Sequence, residues 1–217
     1  MKEIRTKSRL AMVLSRLEGF KDPNLRQEQY ITDSEVAASV LWNANMLGDI
    51  KGKSIADLGC GTGVLGIGAL LLGARKVVFV DMDKSTLETA KNNLAKLKSE
   101  FSLYTGFAEF INQDIKEVVI DVDVVLQNPP FGTKVKHHDI IFLEKAFKTA
   151  TVVYSFHKSE SKRFLECFSA KKNARLTHVW GFKFPLKATF SFHRRQIHRI
   201  DVSCFRFEVK NNFVDGK

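Results

Sequence analysis

The residues Asn128-Pro129-Pro130-Phe131 combine types suited to chemistry on an amine. An exocyclic amine conjugated with a ring is a poor nucleophile, because its lone pair is delocalised. Two acceptors aimed at its hydrogens draw that pair out of conjugation and toward an electrophile. The Asn128 side-chain oxygen and the Pro129 backbone carbonyl are two such acceptors. The paired prolines stiffen the segment that carries them. Phe131 offers a face on which a target base can stack. Asn128 is neutral and no strong base, so the proton leaves after transfer, to water or to a carbonyl. Catalysis of this kind rests on positioning and acceptor geometry rather than acid-base chemistry.

A second group of residues suits a nucleotide. In Asp57-Leu58-Gly59-Cys60-Gly61-Thr62-Gly63 the glycines permit a tight turn and let backbone N–H groups approach a ligand closely. The string lies between an apolar β-like run and a helical pattern, and Asp81, followed by Met82, comes about 20 positions on. A carboxylate there can accept both ribose hydroxyls of an adenosine. This spacing alone does not separate a dinucleotide site from an adenosylmethionine site. Adenosylmethionine has no pyrophosphate, and its ammonium group needs an anion or carbonyl nearby. Asp57, two residues before the first glycine, can serve that group directly or through water.

The elements that must position these residues follow from periodicity and breakers. Helices are predicted over 10–17, 35–47, 64–72, 84–98, 139–149 and 160–170, the second capped from Thr32-Asp33-Ser34. Strands are predicted over 53–58, 76–80, somewhere within 102–113, and over 122–127, 151–155, 174–184 and 197–209. Strand-helix alternation through the first 155 residues implies an α/β fold, a Rossmann-like parallel sheet with helices on both faces. The last two strands are joined by a short polar link with no room for a crossover helix, so they pair antiparallel. In such a sheet ligands bind beyond the carboxyl ends of the strands. Both the glycine turn and Asn128 fall there.

The 217 residues suit one domain. Within it, 1–50 reads as a helical segment covering the cofactor, 51–155 as the cofactor and catalytic core, and 156–210 as a basic part with the antiparallel hairpin. Hydrophobic residues make up 44% and charged residues 27%, which excludes a disordered chain. No apolar run is long enough for a membrane span, and the basic N-terminus has no apolar signal core behind it, so a cytoplasmic location is expected. Cys60, Cys167 and Cys204 are far apart and form no CxxC pair, which indicates neither a disulfide framework nor a metal site, and predicts buried thiols. The net charge is +10. Residues 131–210 hold 17 Lys and Arg against 6 Asp and Glu, while the rest hold 17 against 18, so the basic excess sits in the C-terminal part. That asymmetry favours a polyanion partner, against a merely solvated lysine-rich surface. Lys134, Lys136, His157, Lys158, His193, Arg194 and Arg195 are the candidate nucleic-acid contacts.

The glycine string resembles the first motif of the class I S-adenosyl-L-methionine-dependent methyltransferases. Asn128-Pro129-Pro130-Phe131 resembles the fourth motif of their amino-directed members, which methylate adenine N6, guanine N2 or a glutamine amide. The motif alone leaves adenine and guanine open. Further segments narrow the likeness to the methyltransferase-like protein 5 group, archaeal and eukaryotic N6-adenosine methyltransferases of small-subunit ribosomal RNA. Gln27-Glu28-Gln29-Tyr30-Ile31-Thr32 resembles that group's LEQYPT, with Gln27 and Ile31 departing from it. Asn128 to Thr133 resembles NPPFGT, and Tyr154-Ser155-Phe156-His157-Lys158 resembles YSLHK. Phe190-Ser191-Phe192-His193 with Asp201 and Arg206-Phe207 resembles its ending.

The resemblance implies an S-adenosyl-L-methionine site built from Gln29, Thr32, Asp57, Gly59, Gly61, Thr62, Gly63, Val64, Asp81, Met82 and Asn128. Asp114 and Ile115 lie where the family often reads the adenine. It implies RNA, small-subunit ribosomal RNA above all, as substrate, and a small zinc-binding activator protein as a partner that supplies its own zinc ligands. A guanine-N2 enzyme, a DNA adenine enzyme and a protein-glutamine enzyme remain alternatives, although the last would carry Tyr where Phe131 stands. A non-catalytic RNA-binding protein would have no use for intact Gly59, Asp81 and Asn128.

Overall fold

The computed structural model describes residues 3–20, 32–101, 106–130, 138–186 and 198–210. Its first helix, α1 (Lys7–Leu14), starts where the Thr6 hydroxyl accepts the Arg9 N–H at 3.1 Å. The second, α2 (Ser34–Met46), starts at Asp33, whose carboxylate accepts the N–H groups of Glu35 and Val36 at 3.0 and 3.1 Å. This is the side-chain cap that the Thr32-Asp33-Ser34 triplet predicts. Strand-helix alternation follows: β1 (Ser54–Leu58), α3 (Val64–Leu71), β2 (Lys76–Asp81), α4 (Lys84–Phe101), β3 (Phe107–Asn112), β4 (Val122–Gln127), α5 (His138–Thr149) and β5 (Ala150–Lys158). A short 3-10 turn (Ser159–Ser161), α6 (Lys162–Lys171), β6 (Ala174–Leu186) and β7 (His198–Val209) complete the order.

The seven strands of the described residues join one sheet in the order β3-β2-β1-β4-β5-β7-β6. The first five pair in parallel, and β7 runs antiparallel to both β5 and β6. The expected mostly parallel Rossmann-like sheet with an antiparallel C-terminal strand is therefore present. The hairpin's second strand is the one that inserts next to β5. Strand order reverses between β1 and β4, and the crevice at such a switch point is where open α/β sheets take ligands.

Buried side chains form two clusters, one on each face of the sheet. One joins Leu10, Leu14, Leu41, Ile67 and Leu94 of α1 to α4 with Ile55, Phe79 and Tyr154. The other joins Leu143 and Ala146 of α5 and Leu165 of α6 with Leu58, Val80, Val125 and Phe205. A buried polar staple lies on the first face. Asp49, in the link after α2, accepts the Tyr154 hydroxyl at 2.6 Å and the Arg206 Nε–H at 2.8 Å.

Two expectations need correction. Cys60 and Cys204 are buried as expected, but Cys167 on α6 is exposed, because it lies on that helix's outer face. Strand β5 runs to Lys158 rather than stopping at 155, because β7 pairs with it as far as Lys158↔Val202. Among the described residues, no helix is long and apolar enough to cross a membrane.

Candidate active site

The glycine turn leaves β1 and enters α3. Gly59 and Gly61 have φ of +65° and +54°, a left-handed conformation that side-chain-bearing residues rarely adopt. Space excludes a side chain as well. A Cβ at Gly59 would lie 2.8 Å from the Phe142 ring of α5, and one at Gly61 would lie 3.1 Å from the Phe20 ring. Gly63, at φ +87°, begins α3 without a side-chain cap. Val64 and Thr62 are nearly buried beside it.

Asp81 ends β2 facing this turn. One of its oxygens accepts the Gly61 N–H at 2.9 Å and the other accepts the Asp83 N–H at 2.9 Å. Each oxygen keeps a further lone pair for a ribose hydroxyl. Burial pushes the Asp81 carboxyl up, and the two backbone donors pull it back. Asn112 at the end of β3 donates to the Asp81 and Met82 carbonyls, both at 3.0 Å, and so ties the two strand ends together. Met82 is exposed. Asp114 closes the next turn by accepting the Lys116 N–H at 2.9 Å, with Ile115 buried beside it.

Asp57 takes a different place from a direct ammonium partner. It is 1% exposed, and its carboxylate accepts the Gly66 N–H at 2.8 Å in the first turn of α3. Burial drives its pKa up to about 7, against the Gly66 hydrogen bond and with the help of neighbouring Asp81. With almost no accessible surface, it holds the turn against the helix.

Asn128 follows β4. Register pairs Leu58 with Gln127, so Asn128 stands level with Gly59 across the switch point. Its Nδ2 donates to the Thr32 hydroxyl at 3.0 Å. Its Oδ1 is buried and has no hydrogen-bond partner among the described residues. An open buried acceptor costs about 1–3 kcal/mol, and in a native protein it calls for an external donor. Pro129 is buried and Pro130 half-buried beside it. Backbone amides at a left-handed turn, a carboxylate at a strand end and an open amide oxygen across the switch point fit an adenosine-bearing methyl donor facing an amine.

Comparison with known proteins agrees with that geometry. The family model described as "Methyltransferase small domain" matches residues 34–154, more than half of the chain. The chain belongs to this methyltransferase family. Two relatives are each named an rRNA N(6)-adenosine-methyltransferase: Mettl5 of Drosophila melanogaster, 31% identical over 93% of this chain and 95% of the relative, and METTL5 of Danio rerio, 32% identical over 91% and 96%. Among solved structures, a candidate RNA methyltransferase of Pyrococcus horikoshii superposes with a TM-score of 0.86 at 42% identity, covering 95% of this chain and 98% of the other. S-adenosyl-L-methionine is the methyl donor of this methyltransferase.

The structure brings Thr32, the glycine turn, Asp81, Met82, Asp114, Ile115 and Asn128 to the carboxyl ends of β1 to β4. Gln29, Phe131, Lys134, Lys136, His193, Arg194 and Arg195 lie outside the described residues. His157 is corrected as a nucleic-acid contact. It is 1% exposed, hydrogen-bonded to Ser155 and Asp139, and packed edge-on against Phe205. Lys158, next in the strand, is the half-exposed one and lies 4.0 Å from Glu160.

One support of the methyltransferase site escapes a reading of the sequence. Asn93, buried in α4, donates to the carbonyls of Thr62 and Glu18 at 3.0 Å each and accepts the Glu18 N–H at 2.8 Å. It thereby fastens the segment after α1 to the glycine turn and seats Phe20 over Gly61. The one local signal is a buried amide in an amphipathic helix, and its partners are 31 and 75 residues away.

Proposed function

We propose that this methyltransferase modifies the exocyclic N6 amine of adenosine in RNA, with small-subunit ribosomal RNA as the substrate. The observation that carries this reading is the open Oδ1 of Asn128, opposite the glycine turn. S-adenosyl-L-methionine supplies an electrophilic methyl group there. The Asn128 oxygen and the Pro129 carbonyl accept the two amine hydrogens and draw the nitrogen lone pair out of the ring. Thr32 holds the Asn128 amide in orientation from its Nδ2 side. Asp81 takes the ribose hydroxyls, Asp114 and Ile115 flank the adenine, and Gln29 joins Thr32 at the methionine end. Pro130 stiffens the loop, and Phe131 gives the target base a stacking face. Adenine rather than guanine, and ribosomal RNA rather than protein, is supported by the names of relatives that align over more than nine-tenths of the chain and by the basic C-terminal part.

Two finer parts belong to the same reading. Lys134, Lys136, Lys158, His193, Arg194 and Arg195 contact the RNA backbone in a salt-dependent way. A small zinc-binding activator protein covers apolar surface, and β3 at the sheet edge, with exposed Phe107, offers it a strand to pair with. The protein acts in the cytoplasm. The test is transfer of a tritiated methyl group to small-subunit ribosomal RNA, followed by digestion to nucleosides. N6-methyladenosine is the expected product, and N2-methylguanosine would overturn the adenine assignment.

A further inference from the structure

A chain of polar side chains, buried except for half-buried Asp139, lies beneath the amine half of the site, on the α5 face of the sheet. Gln127 is the last residue of β4 and has no exposed surface. Its Nε2 donates to the Ser155 hydroxyl at 2.9 Å. Ser155 Oγ lies 2.7 Å from His157 Nε2, and His157 Nδ1 lies 3.2 Å from the Asp139 carboxylate in the first turn of α5. Ser155 and His157 are two apart in β5 and so share one face, and register sets Gln127 beside Ser155. The hydrogen bond to His157 helps hold the Asp139 carboxyl below its usual range against the effect of burial.

The donors can be ordered in one sense only if Gln127 gives an N–H to the serine. In that order the serine hydroxyl donates to Nε2, and the Asp139 carboxylate, an acceptor only, calls for the imidazole proton on Nδ1. The ends of the chain matter. Gln127 immediately precedes Asn128, and Asp139 lies in the first turn of the helix that follows the Asn-Pro-Pro-Phe segment. Both ends of the catalytic loop are thus tied to one rigid strand, β5, through a single line of hydrogen bonds. Successive strand residues face opposite ways, so Gln127 anchors the backbone from below while Asn128 faces Thr32.

We propose that Ser155, His157 and Asp139 are positioning residues for methyl transfer: with Gln127 they form an ordered relay that fixes where the Asn128 amide and the Pro129 carbonyl meet the amine. The proposal rests on the amine reading of Asn128, and its test separates the two.

The hydrogen-bond order is read first, in the full-length protein without substrate, by long-range proton–nitrogen NMR correlation of the His157 ring. A proton on Nδ1 and a bare Nε2 are expected, and a proton on Nε2 would overturn the relay whatever the enzyme methylates. Turnover is then measured on small-subunit ribosomal RNA, per cofactor-binding site titrated by calorimetry. Ser155→Ala should lower kcat about tenfold or more, since small displacements of positioned groups are costly. Cofactor Kd and RNA KM should stay within about threefold, and Ser155→Thr, which restores the hydroxyl, should recover most of kcat. Should Ser155→Ala fail to fold, Asp139→Asn at the outer end carries the same expectation for kcat. A folded Ser155→Ala or Asp139→Asn protein with wild-type kcat overturns the proposal. A wild-type protein that shows the Nδ1 tautomer but methylates no exocyclic amine overturns the amine reading instead.

Discussion

The two halves of the site treat their polar groups in opposite ways. In the cofactor half, groups are already paired with the protein's own backbone. Asp57 holds Gly66, Asp81 holds Gly61 and Asp83, and Asn93 holds Thr62 and Glu18. In the amine half, Asn128 keeps one side of its amide on Thr32, and its buried Oδ1, like Gln127 Oε1, has no hydrogen-bond partner among the described residues. A closed network rigidifies a cradle that must bind, whereas an open acceptor holds interaction energy back for the reacting group. Substitutions in the first half should therefore read out in affinity, and those in the second in rate.

The largest separation is expected at Asn128. Asn128→Ala should lower kcat by about 10²–10³-fold, the range for removing one preorganised electrostatic partner, while calorimetry should find cofactor Kd within several-fold of wild type. A collapse of cofactor binding would merge the halves. Asp81→Asn should do the reverse, raising cofactor Kd roughly tenfold through loss of charged acceptors and leaving kcat at saturating cofactor nearly unchanged.

A third effect is confined to the cofactor half and appears without any ligand. Asp57 has its pKa raised to about 7, above the ordinary value near 4 that it regains on unfolding. The folded protein therefore holds a proton that the unfolded chain has released between those values. Its stabilising contribution is fully present below about pH 4 and is lost as pH rises through about 7, with a slope of no more than about 1.4 kcal/mol per pH unit. Denaturant melts of Asp57→Asn should lose this part of the pH dependence, while Asn128→Ala should keep it. The smallest effect belongs to the RNA surface. Lys158→Ala should reduce the slope of log affinity against log salt by roughly 0.7–0.9, as for one lost phosphate contact, with cofactor Kd unchanged.

The same contrast governs what could be read from the sequence. The glycine turn, Asp81 and the Asn128 loop were legible because their chemistry is local: left-handed glycines, an acid at a strand end and stiffening prolines each announce themselves within a few residues. The strand-helix alternation fixed the sheet class for the same reason. What pairs at long range was not legible. Nothing near Asn93 names Thr62 and Glu18 as its partners. His157 reads as a basic residue at a strand end because nothing local says how far β5 runs. The antiparallel partner β7 carries β5 on to Lys158 and turns His157 into the core. Asp57 was legible as an acid in the turn, but its direction, toward the amide of Gly66, depends on how α3 docks on β1.

Asn128 Oδ1 is kept open for the amine. A crystal structure with a non-reactive cofactor analogue and an adenosine-containing RNA tests it most directly. The adenine N6 should lie about 3 Å from Asn128 Oδ1 and from the Pro129 carbonyl oxygen, at hydrogen-bonding distance. An Asn128 Oδ1 satisfied by the protein itself, with the adenine amine held elsewhere, would contradict it.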